Sequence, residues 1–273
     1  MLSLDEIIKY ALEEDRAFED VTTAYVVPEG KRARGRALAK SRGVMAGGWV
    51  AEKVFSAVDP GLVFRQYKKE GEEFLPGEVL FTVEGEASSI LKGERVALNF
   101  LQRLCGIASL TREFVRAVEG TGVKIMDTRK TTPLLRLLEK YAVKMGGGEN
   151  HRFDLREMVL IKENHIVLAG SLREAIRRAK KSGKFVEVEV KSLEELREAL
   201  SCGPDRIMLD NFSPEEIRRA VGLVRGRVEL EASGGVNLEN VREIAETGVD
   251  LISIGGLTHS FRSSDISLLV EVL

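Results

Sequence analysis

The rhythm of apolar and polar positions changes part-way along the chain. Over residues 4–12 apolar side chains recur at helical spacing, which predicts one amphipathic helix. Short β-rich runs follow at 34–39, 63–68 and 78–83, punctuated by turns such as Pro60-Gly61 and Pro76-Gly77. This style predicts an α+β region with an antiparallel sheet. From about residue 94 a long helix is expected to run towards 118, and beyond it the pattern becomes regular. Strand-like runs at 123–127, 158–162, 185–190, 206–210, 228–232 and 251–255 alternate with helical stretches at 134–145, 172–181, 193–200, 214–224 and 238–247. Ser171, Ser192 and Ser213 each precede a glutamate by three residues, the signature of a capping box, and Pro214 stands at a first helical position. Alternation at this spacing predicts a parallel sheet, doubly wound or curled into a barrel.

The strand ends favour the barrel. They carry Asp127-Thr128-Arg129-Lys130, Lys162-Glu163-Asn164-His165, Glu187 and Glu189, Asp210-Asn211, Ser233-Gly234-Gly235, and Gly255-Gly256 with Thr258 and His259. In a barrel such ends share one mouth; a doubly wound sheet would gather function at one switch point. Six runs fall short of the eight of a closed barrel, so either the barrel is incomplete or one strand is hidden.

Composition narrows the chemistry. The 273 residues are 44% hydrophobic and 31% charged, which suits a soluble protein with a substantial core. A net charge of −2 provides no general field for a polyanion, so nucleic acid is not an expected partner and any anion site must be a local cluster. The first ten residues hold no long apolar run, so neither a signal peptide nor a membrane span is expected there. Cys105 and Cys202 read as unpaired thiols of a reducing cytoplasm. Glutamine occurs only at Gln66 and Gln102 while Glu, Lys and Arg abound, a bias that fits a thermophile.

Three clusters carry candidate chemistry. Arg129, Lys130, His151, Arg152 and Lys162 form a basic group, two of them within the glycine-rich run 146–152. Cations pooled in one mouth repel one another and call for a multiply charged anion, with arginine suited to two-pronged capture of carboxylate or phosphate. Ser233-Gly234-Gly235 and Gly255-Gly256 sit where barrels bind phosphate through backbone amides. Glu187, Glu189 and Asp210 are acidic; strand alternation puts Glu187 and Glu189 on one face, where they could meet sugar hydroxyls, hold Mg²⁺ or form a structural ion pair. The three histidines, His151, His165 and His259, all fall in these segments but lack metal-ligand spacing for zinc. Arg95, Asn99 and Arg103 recur at i, i+4 and i+8 on an otherwise apolar helix; the stripe is either solvated or a subunit interface delivering a cation to a neighbour's site.

These same residues resemble a known family. Gly93-Glu94-Arg95-Val96-Ala97-Leu98-Asn99, Asp127-Thr128-Arg129-Lys130-Thr131-Thr132-Pro133 and Gly146-Gly147-Gly148-Glu149-Asn150-His151-Arg152 are similar to motifs of quinolinate phosphoribosyltransferases. So are Ile161-Lys162-Glu163-Asn164-His165, Glu187-Val188-Glu189-Val190, Met208-Leu209-Asp210-Asn211-Phe212, Ser233-Gly234-Gly235 and Gly256-Leu257-Thr258-His259, in the family's order from Glu19-Asp20-Val21-Thr22-Thr23 onward. Leu134 departs from a common glycine and Ala232 from a frequent serine. The resemblance implies an α/β fold: an N-terminal α/β sandwich over 1–104, then an open, incomplete parallel α/β barrel over 105–264, with the tail 265–273 a candidate to pack on the sandwich. It implies a homodimer, or a hexamer built as a trimer of dimers, with a shared site.

By the same resemblance, Arg129, His151, Arg152 and Lys162 would surround quinolinate, with Arg95 supplied by the neighbouring subunit, and Thr128 would also bind substrate. Lys130 would lie near the pyrophosphate of phosphoribosyl pyrophosphate. Glu189 and Asp210 would face the ribose and Mg²⁺, the one cofactor implied. Ser233, Gly234, Gly235, Ile254, Gly255 and Gly256 would hold the 5-phosphate, with His259 close by. Lys130, Lys162, Glu189 and Asp210 would be the catalytic set. Three rivals stand beside this reading. One is a related pyrophosphorylase with another acceptor, and one is a Schiff-base aldolase using Lys162 or Lys130. The third is a carrier module, suggested by the sandwich-like run 70–78, which lacks a Met-Lys hairpin.

Overall fold

The structure is a computed structural model that describes residues 2–273. Its contacts divide the chain into two compact units. The first holds residues up to Arg112 together with Thr132–Gly147 and Phe261–Leu273; the second holds Glu113–Thr131 and Gly148–Ser260.

The first unit is built on an antiparallel sheet. Its strands are β1 (Arg32–Ala39), β3 (Val63–Gln66), β5 (Val79–Glu86) and the C-terminal β12 (Ile266–Val272), in the order β12-β1-β5-β3, while β2 (Gly43–Val44) and β4 (Glu73–Phe74) pair separately. In β1 the arginines face one way and Ala33, Gly35, Ala37 and Ala39 the other, into the core. Those small residues are required: a Cβ on Gly35 would stand 3.1–3.3 Å from Leu268, Val83 and Ile90. Around the sheet lie α1 (Leu4–Glu14), α2 (Val21–Val26) and α3 (Gly48–Val58). Ser3 and Glu6 close a reciprocal capping box at the start of α1, and Ile8 and Leu12 bury its apolar stripe. Phe55 of α3 packs on Phe81 edge to face, with ring centroids 6.0 Å apart, and Phe64 completes the cluster.

The long helix α4 (Ala87–Ala117) starts seven residues before the expected position 94. Ser88, Ser89 and Gly93 are weak helix formers and hid its first turns. Gly93 is there for packing, since a Cβ would approach the Phe55 ring to 2.9 Å. Helix α5 (Arg136–Met145) belongs to this unit, because charge holds it there. Arg103 donates to fully buried Glu139 at 2.6 Å and to Thr132, and its guanidinium lies 4.8 Å from the Phe261 ring centre. Tyr141 donates to Glu70 at 2.7 Å, and Arg112 donates to the carbonyls of Gly71, Met145 and Gly146. Arg103 is thus anchored within its own chain and only partly exposed, whereas Arg95 and Asn99 of that triplet are exposed. The Leu134 departure also has a consequence. It follows Pro133 in a tight turn closed by Leu135 N–H to Thr132 C=O, and its φ of +68° is a left-handed value that favours glycine.

The second unit is an all-parallel sheet of β6 (Lys124–Met126), β7 (Val159–Ile161), β8 (Val186–Val190), β9 (Arg206–Asp210), β10 (Glu229–Ser233) and β11 (Leu251–Ser253). The order β6-β11-β10-β9-β8-β7 is that of a barrel, with first strand beside last, left unpaired between β6 and β7 among the described residues. Its helices are α6 (Glu163–Ala169), α7 (Leu172–Lys180), α8 (Leu193–Cys202), α9 (Pro214–Val224), α10 (Val241–Ala245) and α11 (Gly256–His259). Ser171, Ser192 and Ser213 each cap their helix, but the reciprocal capping box the spacing implied closes only at Ser213 and Glu216. On one sheet face Val186, Val188, Val190, Ile207, Leu209 and Leu230 are buried, as are the facing residues of the amphipathic helices: Leu172 and Ile176 of α7, Leu196 of α8, Ile217 of α9. Helix α6, which the sequence reading took for a polar strand end, begins directly after β7 and buries none of its residues. The stretch expected as a helix over 238–247 shortens to α10.

Breaking the Arg103–Glu139 pair isolates a carboxylate in the core. Arg103→Ala should lower unfolding free energy by about 3 kcal/mol, and adding Glu139→Gln to that variant should restore a large part of it. Urea unfolding of the three variants measures this; equal stability of Arg103→Ala and wild type would refute the role.

Candidate active site

The parallel register decides which side chains meet. Leu160 pairs with Glu187, Glu187 with Arg206, Glu189 with Met208, Met208 with Glu231, Asp210 with Ser233, and Ser233 with Ser253. Paired residues share a face, so charged and polar side chains from neighbouring strands all project away from the helices. There Leu160, Glu189, Met208, Asp210, Ser233 and Ser253 border a cavity of about 760 Å³. Every substrate position expected from the sequence lines it except Arg95, which stands exposed on α4. Leu160, Met208, Asn211, Val236, Ser253 and Ser260 also line it and were not anticipated.

After β6, Asp127 is fully buried and organises the basic loop. One of its oxygens accepts the His151 amide at 2.9 Å and the other the Asn150 side-chain amide at 2.6 Å. Arg152 is buried next to His151 and donates to the Met158 carbonyl at 3.2 Å. Desolvation, and then the charge of Arg129, hold its guanidinium below the usual arginine pKa. Both causes show a cation held in place without a full counter-charge. The Lys130 amide donates to Thr128 Oγ1 at 3.0 Å, and its carbonyl accepts from Thr258 Oγ1 at 2.8 Å. Lys162 is ion-paired with Glu189.

The glycine turns are sites of close approach. Gly234 has φ +93°, and a Cβ there would overlap the Asn211 amide. Asn211 itself has φ +58°, a conformation asparagine tolerates better than most residues. The signal for Asn211 was present in the sequence as a short polar residue after a strand-end aspartate. A Cβ on Gly255 would come within 2.9 Å of Lys130 and 3.0 Å of His259 Nε2. His259 Nδ1 lies 2.6 Å from Ser260 Oγ. His165 does not reach the cavity; its Nδ1 accepts the Lys162 amide at 3.0 Å and caps α6.

Depth separates the two glutamates of β8. Glu189 lines the cavity, whereas Glu187 is fully buried and does not. Glu187 lies with Glu231 against His151, whose Nε2 is 3.0 Å from one carboxylate and 3.5 Å from the other. Arg206 approaches Glu231 at 3.5 Å. Burial pushes the pKa of Glu187 up to about 7. Burial, reinforced by the charge of Glu187, does the same for Glu231, to about 7. His151 Nδ1 accepts the Arg152 amide at 2.7 Å, and the ring lines the cavity beside Arg129, Lys130, Arg152 and Lys162.

Hard carboxylate oxygens from Glu189 and Asp210 face the same cavity as the cations, a donor set that suits Mg²⁺.

Comparison with known proteins gives a consistent result. The model of the quinolinate phosphoribosyl transferase N-terminal domain matches residues 20–105, and that of the C-terminal domain matches 107–269. A probable nicotinate-nucleotide pyrophosphorylase (carboxylating) from Bacillus subtilis is 43% identical over 270 residues, 98% of this chain and 93% of that one. Quinolinate phosphoribosyltransferase (decarboxylating) 2b, mitochondrial, from Nicotiana tabacum is 41% identical over 290 residues, 98% of this chain and 82% of that one. The crystal structure of nicotinate-nucleotide pyrophosphorylase from Ehrlichia chaffeensis superposes with a TM-score of 0.94 at 43% identity, covering 99% of both chains.

The buried glutamates make stability depend on pH. Their ordinary pKa is 4.5 and their folded pKa about 7, so between these values the folded chain binds more protons than the unfolded one. Their contribution is complete below about pH 4.5 and is lost as pH rises through about 7. Glu231→Gln should flatten this fall. Unfolding midpoints in urea at about pH 5 and about pH 7.5 measure it, and an unchanged slope would count against the burial argument.

Proposed function

This chain belongs to the quinolinate phosphoribosyltransferase family, and on that premise we propose that it transfers the phosphoribosyl group of phosphoribosyl pyrophosphate to quinolinate with decarboxylation. The products are nicotinate mononucleotide, CO₂ and pyrophosphate, and the enzyme is a pentosyltransferase of de novo NAD biosynthesis. The observation that carries this reading is the convergence of Arg129, Lys130, Arg152 and Lys162 on one cavity that two glycine turns also line. A dianion and a phosphorylated sugar together account for both features. The aldolase reading is weaker, because Lys162 is ion-paired with Glu189.

Arg129 and Arg152 meet the quinolinate carboxylates with planar donor pairs. Ser233–Gly235 and Ile254–Gly256 receive the 5-phosphate on backbone amides, where side chains would obstruct it. Oriented in this way, the pyridine nitrogen attacks the anomeric carbon as pyrophosphate departs towards Lys130. Glu189 and Asp210 tolerate the positive charge that grows on the ribose. The resulting pyridinium stabilises the carbanion left on the ring when the adjacent carboxylate departs as CO₂, and that carbon then takes a proton from water to give nicotinate mononucleotide. Glu189 and Asp210 would also hold Mg²⁺, which supplies charge neutralisation of the pyrophosphate leaving group.

The assembly is read as a homodimer, alone or within a hexamer. Arg95 is exposed in the first unit, where Tyr25 is 90% exposed and Val26 72%; in the second unit Leu168 of α6 is 85% exposed. Apolar surface of this kind on each unit supports burial against a second copy. No described helix is long and apolar enough to cross a membrane, and the unpaired Cys105 and Cys202 support a reducing compartment, the cytoplasm.

The test is simultaneous measurement of CO₂ and pyrophosphate, with each substrate alone and both together. Release in equal amounts only with both substrates and Mg²⁺ is expected. Borohydride trapping of a sugar phosphate on Lys162 without CO₂ would establish the aldolase instead. A second experiment addresses sharing of the site. Arg95→Ala and Lys162→Ala homodimers should each be nearly inactive. Subunit exchange between them should restore up to roughly half of wild-type activity per heterodimer, because one site then carries both defects and the other neither. No recovery in verified heterodimers would show that both residues serve the same chain's site.

A further inference from the structure

Two ion pairs of opposite polarity join the chain segments that follow β7 and β8. Lys162 pairs with Glu189, and Glu163, the next residue and the first of α6, pairs with Lys191. The first pair belongs to the site described above, since both its members line the cavity. The second takes no part in the mechanism, and neither of its members lines the cavity. Strand alternation shows where it stands. Glu187, Glu189 and Lys191 follow one another at intervals of two, so they share one face of β8 and of its continuation. Glu187 lies in the interior, Glu189 borders the cavity, and Lys191 ends the row with a side chain 48% exposed. Lys191 is the rim position of that row.

Three observations give this lysine more to do than decorate a surface. Its backbone is pinned, because its amide donates to Glu195 Oε2 at 2.7 Å in the first turn of α8. Its ammonium group feels the charges of Asp210 and Glu189, the two carboxylates that face the cavity. Its partner Glu163 is 62% exposed, so the pair is open to water and contributes little to stability. A contact of that kind gives way when a stronger anion comes within reach. A multiply charged phosphate group is a stronger partner for an ammonium ion than one solvated carboxylate. The stem of lysine is flexible enough to move its charge from one to the other.

The surroundings indicate which anion this is. The 5-phosphate is assigned to the glycine turns after β10 and β11, and the quinolinate carboxylates to Arg129 and Arg152. Lys191 follows β8, next to the strand that ends in Asp210. Glu189 and Asp210 serve the ribose and the pyrophosphate joined to it. We propose that Lys191 is a rim cation for that pyrophosphate: its ammonium group leaves Glu163 to bind a pyrophosphate oxygen of the second substrate. Glu163 is the internal anion that holds the lysine while the mouth is empty and competes with the ligand for it. The identity of the substrate rests on the functional reading above; the exchange of one anion for another does not.

Competition gives the two residues opposite effects, whereas a purely structural tie would give them the same one. Both Lys191→Met and Glu163→Gln break the ion pair. In calorimetric titration with inorganic pyrophosphate and Mg²⁺, Lys191→Met should bind about fivefold more weakly than wild type and Glu163→Gln about threefold more tightly. The KM for phosphoribosyl pyrophosphate should follow the same order, while the KM for quinolinate stays within about twofold in both. The double variant should bind pyrophosphate as Lys191→Met does, because Glu163 then has nothing to compete for. Unchanged affinity in Lys191→Met, or weaker affinity in both single variants, overturns the proposal. So does a double variant clearly tighter than Lys191→Met, since the gain would then come from the loss of one negative charge at the mouth in general. Should Lys191→Met fail to fold, tighter binding by Glu163→Gln supports the exchange and unchanged or weaker binding refutes it. Should wild type bind pyrophosphate but release no CO₂ from quinolinate, the functional reading falls, while the titrations still decide the role of Lys191.

Discussion

Four cations in one cavity must be kept there before substrate arrives. Two like charges about 6 Å apart repel by about 3 kcal/mol at an effective dielectric near 20, and buried Arg152 already shows the strain as a lowered pKa caused by burial and Arg129. Much of the second unit can be understood as the answer to that repulsion. Lys162 is tied to Glu189 and Arg152 to the Met158 carbonyl. None of these ties removes the positive potential of the cavity. They fix its direction, so that an incoming dianion finds donors already aimed.

The parallel sheet makes this arrangement economical. Because paired residues in neighbouring strands share a face, one alternating pattern repeated over six short strands delivers a wall of apolar residues to the helices and a wall of polar ones to the cavity. That pattern is local and periodic, so the polar strand ends that reach the cavity could be read from the chain, as could the capping serines from their spacing to a glutamate, whereas Leu160, Met208 and Val236 of the cavity could not. The glycine pairs were legible for a similar reason, since their position after the last strands is itself the signal.

What escaped the sequence was set by partners distant along the chain. Arg103 looks like a surface cation by helical spacing, but its position is decided by Glu139, 36 residues away, and by the ring of Phe261. The first turns of α4 look unfavourable until Gly93 is seen to leave room for Phe55. Helix α6 looks like a strand end because its apolar residues Val167 and Leu168 cover nothing within its own chain; both are largely exposed. Residue type shows what a side chain can do, whereas its contacts select which of those things it does.

The two glutamates of β8 show where the limit lies. Alternation assigns Glu187 and Glu189 to one face with certainty, and both are buried as that face requires. Two residues along a strand advance the chain by about 6.6 Å. That step separates a carboxylate that borders the cavity and pairs with Lys162 from one that meets His151 and Glu231 in the interior. The first sits beside a cation. The second is raised towards neutral pH by the loss of water. Periodicity carries information about direction and none about depth, because depth is fixed by how the neighbouring strands stagger. Two chemically identical residues in one five-residue strand therefore take up different work, and the register with β7 and β9 is what divides it between them.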